Sequence, residues 1–172
     1  MKNNNSIKPV VAVGIGAALF FVLGRFVAIP SLVPNTNISL QYAVLALLAA
    51  MYGPVVGGLI GFIGHTLIDL SWGGSPWWSW VIASAFVGVV VGLFAKKLDL
   101  QEGEFGKKKM AAFTVANIAA HLLAWIVVAP VLDILIYAEP VKKVFAQGAF
   151  AAVSNIITAV VVGGLLVLAY TR

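Results

Sequence analysis

The chain contains no cysteine, which removes both a disulfide framework and thiolate metal ligation. Charge is also scarce. Asp, Glu, Lys and Arg make up 10% of the 172 residues, against about a quarter in a soluble domain. So few charges cannot clothe a water-facing surface, which excludes disorder and argues against a soluble enzyme. The sequence has no Gly-x4-Gly-Lys-Ser/Thr loop, no His-Glu-x2-His and no Gly-x-Ser-x-Gly, so these routes to ATP hydrolysis, metalloproteolysis and serine hydrolysis are closed. Gly14-x-Gly16 lacks the third glycine and the preceding strand of a dinucleotide fingerprint.

What is present is apolar: 62% of residues are hydrophobic and mean hydropathy is +1.04. The length fits one domain, residues 1–172. A bilayer-crossing helix needs about 20 apolar residues. Six runs qualify as spans: about Ile7 to Ile29, Ile38 to Tyr52, Pro54 to Leu70, Trp77 to Phe94, Met110 to Tyr137 and Val144 to Tyr170. The expected fold is an all-α integral membrane bundle of six transmembrane helices. The second and third runs are short, and Gly53-Pro54 separates them; one kinked span is the alternative. The first run is too long for a cleaved signal and has no small-residue cleavage pattern after it.

The net charge of +5 does not indicate nucleic acid, because the basic residues lie between or beside apolar runs. Lys2, Lys8, Lys96, Lys97, Lys107, Lys108, Lys109 and Arg172 fall on one side of a six-span chain, leaving Arg25, Lys142 and Lys143 for the other. The positive-inside rule makes both termini cytoplasmic. The stretch from about 96 to 109 is then a charged cytoplasmic loop, solvated or touching anionic lipid heads. The outer connections are Pro30 to Asn37, Ser71 to Pro76 and about Glu139 to Lys143. Trp72, Trp77, Trp78 and Trp80 surround the second of these, either as an interfacial belt or as stacking surface.

Small residues recur four apart in Ala12-x3-Gly16, Gly14-x3-Ala18, Gly57-x3-Gly61 and Ser84-x3-Gly88-x3-Gly92. Such stripes let helices approach closely in lipid. The first span has a smooth, nearly apolar cytoplasmic half, suited to docking another membrane subunit.

Polar groups inside spans are functional candidates by default. Gly57, Gly61, His65 and Asp69 share one face of the third span, and Asn117, His121 and Trp125 one face of the fifth. The sixth offers Gln147, Ser154, Asn155 and Thr158, and the second begins with Ser39, Gln41 and Tyr42. At about 1.5 Å per residue, His65, His121 and Asn155 lie near mid-membrane, with Asp69, Trp80, Trp125 and Gln147 further out. The expected site is an outward-facing pocket with aromatic walls. Arg25 and Asp69 are placed either to pair with each other or to meet a ligand. An intramembrane enzyme using His65, Asp69 and His121, or a non-binding assembly subunit, are readings of other classes.

Gly24-Arg25-Phe26-Val27 through Pro34-Asn35-Thr36, Gln41-Tyr42-Ala43, Gly61-Phe62-Ile63-Gly64-His65 through Asp69-Leu70, and Trp77-Trp78-Ser79-Trp80-Val81-Ile82 resemble the substrate-binding S component of energy-coupling factor (ECF) transporters, the vitamin-uptake branch of the ABC transporters. More narrowly they resemble the riboflavin-type S components. The resemblance spans nearly the whole chain, with its specific motifs within residues 11 to 95.

That resemblance implies capture of a scarce vitamin in the outer half of the bundle, beneath a lid at Pro30 to Asn37 that carries Asn35. It implies docking of the first helix, through Ala12, Gly14, Gly16 and Ala18, to a transmembrane coupling subunit. Two cytoplasmic ATPases would use the ATP, so no cofactor is expected in this chain. It also implies a Gram-positive cell membrane. The riboflavin label does not follow from the residues. The Trp and His inventory beside Asp69 suits a flat, neutral or weakly basic ring, such as hydroxymethylpyrimidine or pyridoxine, with riboflavin or cobalamin as alternatives. The candidate ligand contacts are Asn35, Gln41, His65, Asp69, Trp80, Asn117, His121, Trp125, Gln147 and Asn155.

Overall fold

A computed structural model describes residues 7–101 and 105–172; Lys2 and residues 102–104 lie outside it. Helix α1 is Ile7–Phe26, followed by a two-stranded hairpin of β1 (Ile29–Pro30) and β2 (Asn37–Ile38). Helices α2 (Gln41–Tyr52), α3 (Pro54–Ser71) and α4 (Trp78–Leu93) come next, then a single turn, α5 (Ala95–Leu98). The fifth span runs α6 (Lys107–Leu122), a π-helical stretch (Leu123–Val128) and α7 (Ala129–Tyr137). The sixth runs α8 (Val141–Ile157), a second π stretch (Thr158–Val162) and α9 (Gly163–Tyr170).

Four of these spans are long and apolar enough to cross a bilayer alone; α2 and α4 are shorter apolar helices of 12 and 16 residues. The bundle therefore has the expected six spans. The boundaries differ in detail. Lys96 and Lys97 belong to α5, Lys107 to Lys109 open α6, and Lys142 and Lys143 lie in the first turn of α8, so the inner and outer connections are shorter than the hydropathy pattern suggests.

Gly53 separates α2 from α3 with φ +91°, a left-handed conformation that favours glycine, and Pro54 starts α3 at a position needing no N–H. The two helices form a hairpin rather than one kinked span. A Cβ on Gly57 would meet Ala49, while Tyr42 at the other end of α2 reaches the level of His65 through Ser84.

Small residues set the α3–α4 contact. A Cβ on Gly57 or Gly88 would strike the backbone of the other, and one on Gly61 would strike the Ser84 carbonyl. Helix α1 runs parallel to α3, with Gly16 against Ile60, Phe20 against Gly64, and Gly24 against Ile68. In the fifth span Pro130 cannot donate to the residue four earlier, and its ring crowds that carbonyl. The π stretch immediately before it accommodates the lost bond.

Helix α2 is about 18 Å long at 1.5 Å per residue, well short of the bilayer core. The hairpin between α1 and α2 fills the space above its outer end, with Thr36 and Ser39 buried.

Candidate functional site

A cavity of about 580 Å³ lies beneath this hairpin, at the end of the bundle away from the termini. The hairpin is self-bonded: Ser31 Oγ lies 2.5 Å from Thr36 Oγ1, and Thr36 Oγ1 donates to the Val33 carbonyl at 2.7 Å. Asn35 turns it at φ 58°, a conformation Asn tolerates. Gln147 Nε2 donates to the Pro34 carbonyl at 2.8 Å, tying the loop to α8.

Of the candidate contacts, Asn35, Gln41, His65, Asp69, Trp80, Trp125, Gln147 and Asn155 line the cavity. Asn117 and His121 do not. Both are fully buried one turn apart on α6, where Asn117 Nδ2 donates back to the Phe113 carbonyl. His121 stands behind Trp125, whose indole N–H donates to His121 Nδ1 at 2.9 Å. Sequence spacing put these three on one face, but only Trp125 reaches the cavity.

The aromatic wall is held by a residue the sequence reading passed over. Asp133, in α7, is 2% exposed. Its carboxylate accepts the indole N–H of Trp77 at 2.6 Å, that of Trp80 at 3.0 Å, and the Ser79 hydroxyl. Trp77 also stacks on Tyr137, with centroids 3.9 Å apart. Trp80 leans on Trp125 at 5.1 Å. The available signal was that a lone carboxylate in an apolar span demands partners.

Arg25 and Asp69 do not pair. The Arg25 guanidinium lies 3.7 Å from the Trp72 ring centroid, and its Nε donates to Ser71 Oγ at 2.9 Å. Stacking on an indole suits a planar cation at the outer boundary. Asp69 Oδ2 instead accepts the backbone N–H of Trp77 at 2.8 Å, and Oδ1 lies 3.7 Å from His65 Nε2. His65 Nδ1 is 2.6 Å from Ser84 Oγ, which is 2.7 Å from the Tyr42 hydroxyl.

Lys143 is the cation among the lining residues, and it pairs with Glu139 at 2.7 Å. The carboxylates of Asp69 and Asp133 have no Lys or Arg partner among the lining residues. Among the described residues, no group of three His, Asp or Glu is placed to hold a metal ion.

The small residues proposed for docking divide. Ala12 and Gly16 are buried within the bundle, Gly16 against Ile60 and Leu48. Gly14 and Ala18 are exposed on the opposite face, with nothing within 4 Å of a Cβ built on Gly14. The two interleaved motifs thus face different neighbours.

Comparison with known proteins identifies the family. The family described as ECF-type riboflavin transporter, S component, matches residues 4–172. The chain belongs to it. Curated relatives include a UPF0397 protein of Enterococcus faecalis, 51% identical over 99% of this chain and 93% of its own length. Another, from Exiguobacterium, is 54% identical over the same shares. A third, from Streptococcus agalactiae, is also 54% identical over 99% of this chain and 93% of its own. The crystal structure of an S-component for biotin from an ECF-type ABC transporter shares the fold, with TM-score 0.65, 18% identity and 100% of both chains covered. This S component is a membrane transporter subunit that works with an energy-coupling module. It is not an enzyme, and the reading of His65, Asp69 and His121 as catalytic groups is set aside.

Proposed function

We propose that this S component captures a water-soluble vitamin or vitamin precursor from outside the cell and delivers it to a transmembrane coupling subunit driven by two cytoplasmic ATPases. The ligand is a flat, neutral or weakly basic heteroaromatic, such as hydroxymethylpyrimidine or pyridoxine. The observation that carries this reading is the cavity wall: Trp72, Trp77, Trp80 and Trp125 line the same cavity as the Asp69 carboxylate. An aromatic ring buries its faces against such walls and keeps its edge for polar contacts. Gln41, Gln147 and Asn155 add amide donors and acceptors at the edge.

A second reading, riboflavin, draws support from two observations. The matching family carries that name. The volume of about 580 Å³ also sits well inside the range that holds drug-sized ligands. For docking, the exposed Gly14–Ala18 face of α1 is the surface that suits a coupling subunit, since it is free of the bundle's own contacts.

Native mass spectrometry of the purified chain against hydroxymethylpyrimidine, pyridoxine, thiamine, riboflavin and cobalamin tests the ligand class. One saturable adduct with a heteroaromatic is expected. No adduct in a folded sample would favour an assembly role.

A further inference from the structure

Tyr42, Ser84, His65 and Asp69 form a polar line from the floor of the cavity toward its rim, contributed by α2, α4 and α3. Its hydrogen positions follow from donor bookkeeping. A proton on His65 Nε2 lies beside the Asp69 carboxylate, where the negative charge stabilises it. His65 Nδ1 is then an acceptor, so the Ser84 hydroxyl donates to it at 2.6 Å, and Tyr42 donates to Ser84 at 2.7 Å. Every donor in the line is used once, except the last. His65 Nε2–H stands 3.7 Å from Asp69 Oδ1, too far for a direct hydrogen bond. Asp69 Oδ2 is occupied by the Trp77 backbone N–H at 2.8 Å. The cavity is thus offered one donor and one acceptor, fixed side by side on consecutive turns of α3. His65 is 8% exposed, and both residues line the cavity.

We infer that His65 and Asp69 form a subsite for one hydroxyl group of the ligand. An oxygen about 2.8 Å from both atoms sits about 2 Å off the line joining them, within ordinary hydrogen-bond reach. That oxygen accepts from His65 Nε2–H and donates to Asp69 Oδ1. Few groups other than a hydroxyl both accept and donate at a single atom. Tyr42 and Ser84 act as positioning residues, because they hold His65 in the tautomer that donates. The inference rests on the cavity being the ligand site and deepens that reading to hydroxylated heteroaromatics.

The test is a set of matched probe pairs that each differ by a single hydroxyl, titrated into the purified chain: hydroxymethylpyrimidine and its methyl analogue, pyridoxine and its 3-, 4- and 5-deoxy analogues in turn, and riboflavin and its ribityl monodeoxy analogues in turn. In one pair of the compound that binds, the hydroxylated member is expected to bind about ten- to a hundredfold more tightly, as for a hydrogen bond to a charged group. Asp69→Asn, whose one remaining oxygen is taken by the Trp77 backbone N–H, and His65→Leu, which removes the donor, are expected to bring that ratio toward one. Ser84→Ala, which leaves both contact groups in place, is expected to lower the ratio while leaving affinity for the hydroxyl-free member unchanged. Equal affinities within every pair of the compound that binds the wild-type chain would mean that water fills the subsite, overturning the inference but leaving the cavity as the ligand site. Failure of every probe to bind a folded chain would overturn both.

Discussion

The indole of Trp77 donates to the carboxylate of Asp133 across 56 residues of sequence, at 2.6 Å. Trp80, one turn further along α4, donates to the same carboxylate at 3.0 Å. One acidic side chain therefore sets the orientation of two indoles in the cavity wall. Replacing it with Ala leaves those N–H groups and the Ser79 hydroxyl without a partner, at about 1–3 kcal/mol for each one that stays buried. Asp133→Ala is expected to weaken ligand binding at least tenfold and to shift tryptophan emission to the red. Asp133→Asn, which keeps one acceptor oxygen, should fall between. Calorimetry and emission spectra on the two variants check this.

Trp80 offers the most direct test of stacking. It lines the cavity, is only part-buried and leans on Trp125. Trp80→Ala is expected to reduce affinity about tenfold or more, from lost area plus about 0.5–1.5 kcal/mol of ring–ring contact. His121→Ala should act differently, because His121 is fully buried and serves Trp125 from behind. Its main effect is expected on thermal stability, read from the unfolding midpoint in detergent, with a smaller change in affinity.

Glycines of the bundle separate into two groups by what a methyl group would meet. Gly88→Ala is expected to lower stability by about 1–3 kcal/mol, since the added carbon strikes the Gly57 backbone, which cannot rotate away. For a chain of this size that is a fall of several degrees in Tm. Gly16→Leu belongs with it, because Gly16 is packed against Ile60 and Leu48. Gly14→Leu meets open space. It should leave Tm unchanged and reduce co-purification with the coupling subunit. A drop in Tm for Gly14→Leu with intact co-purification would contradict the assignment of that face.

Most of the bundle was legible in the sequence because membrane burial writes itself into composition. The long apolar runs, the Gly53-Pro54 break and the four-residue step of Gly57, Gly61, His65 and Asp69 each reflect a single helix. That third-span pattern holds in three dimensions: the glycines meet α4, and His65 and Asp69 line the cavity. Asp133 was not legible in this way, because its donors, Trp77, Ser79 and Trp80, come from a different span more than fifty residues away. Interleaved stripes on α1 were ambiguous for a related reason. Spacing shows that Ala12 and Gly16 share a face, and Gly14 and Ala18 another, but not which face the bundle takes. Arg25 paired with an indole rather than a carboxylate because Trp72 ends α3 beside it, a contact between residues far apart in the chain.

The lid has one tether that can be cut without touching the wall. Gln147 Nε2 donates to the Pro34 carbonyl at 2.8 Å. Gln147→Leu keeps similar bulk and removes the donor. Ligand dissociation, followed by stopped-flow fluorescence, is expected to accelerate several-fold, as loss of about 1 kcal/mol of net hydrogen bonding implies. An unchanged off-rate would mean that the loop does not hold the ligand in.

Four of the five tryptophans line the cavity, so intrinsic fluorescence reports directly on its occupation. The decisive measurement is a titration of tryptophan emission in the detergent-purified chain with hydroxymethylpyrimidine, pyridoxine and riboflavin. A saturable one-to-one change with one of them, weakened by Trp80→Ala and by Asp69→Asn, is the expected result. A folded chain whose emission responds to none of the three, or whose saturable response survives both substitutions unchanged, contradicts capture of a heteroaromatic vitamin in this cavity.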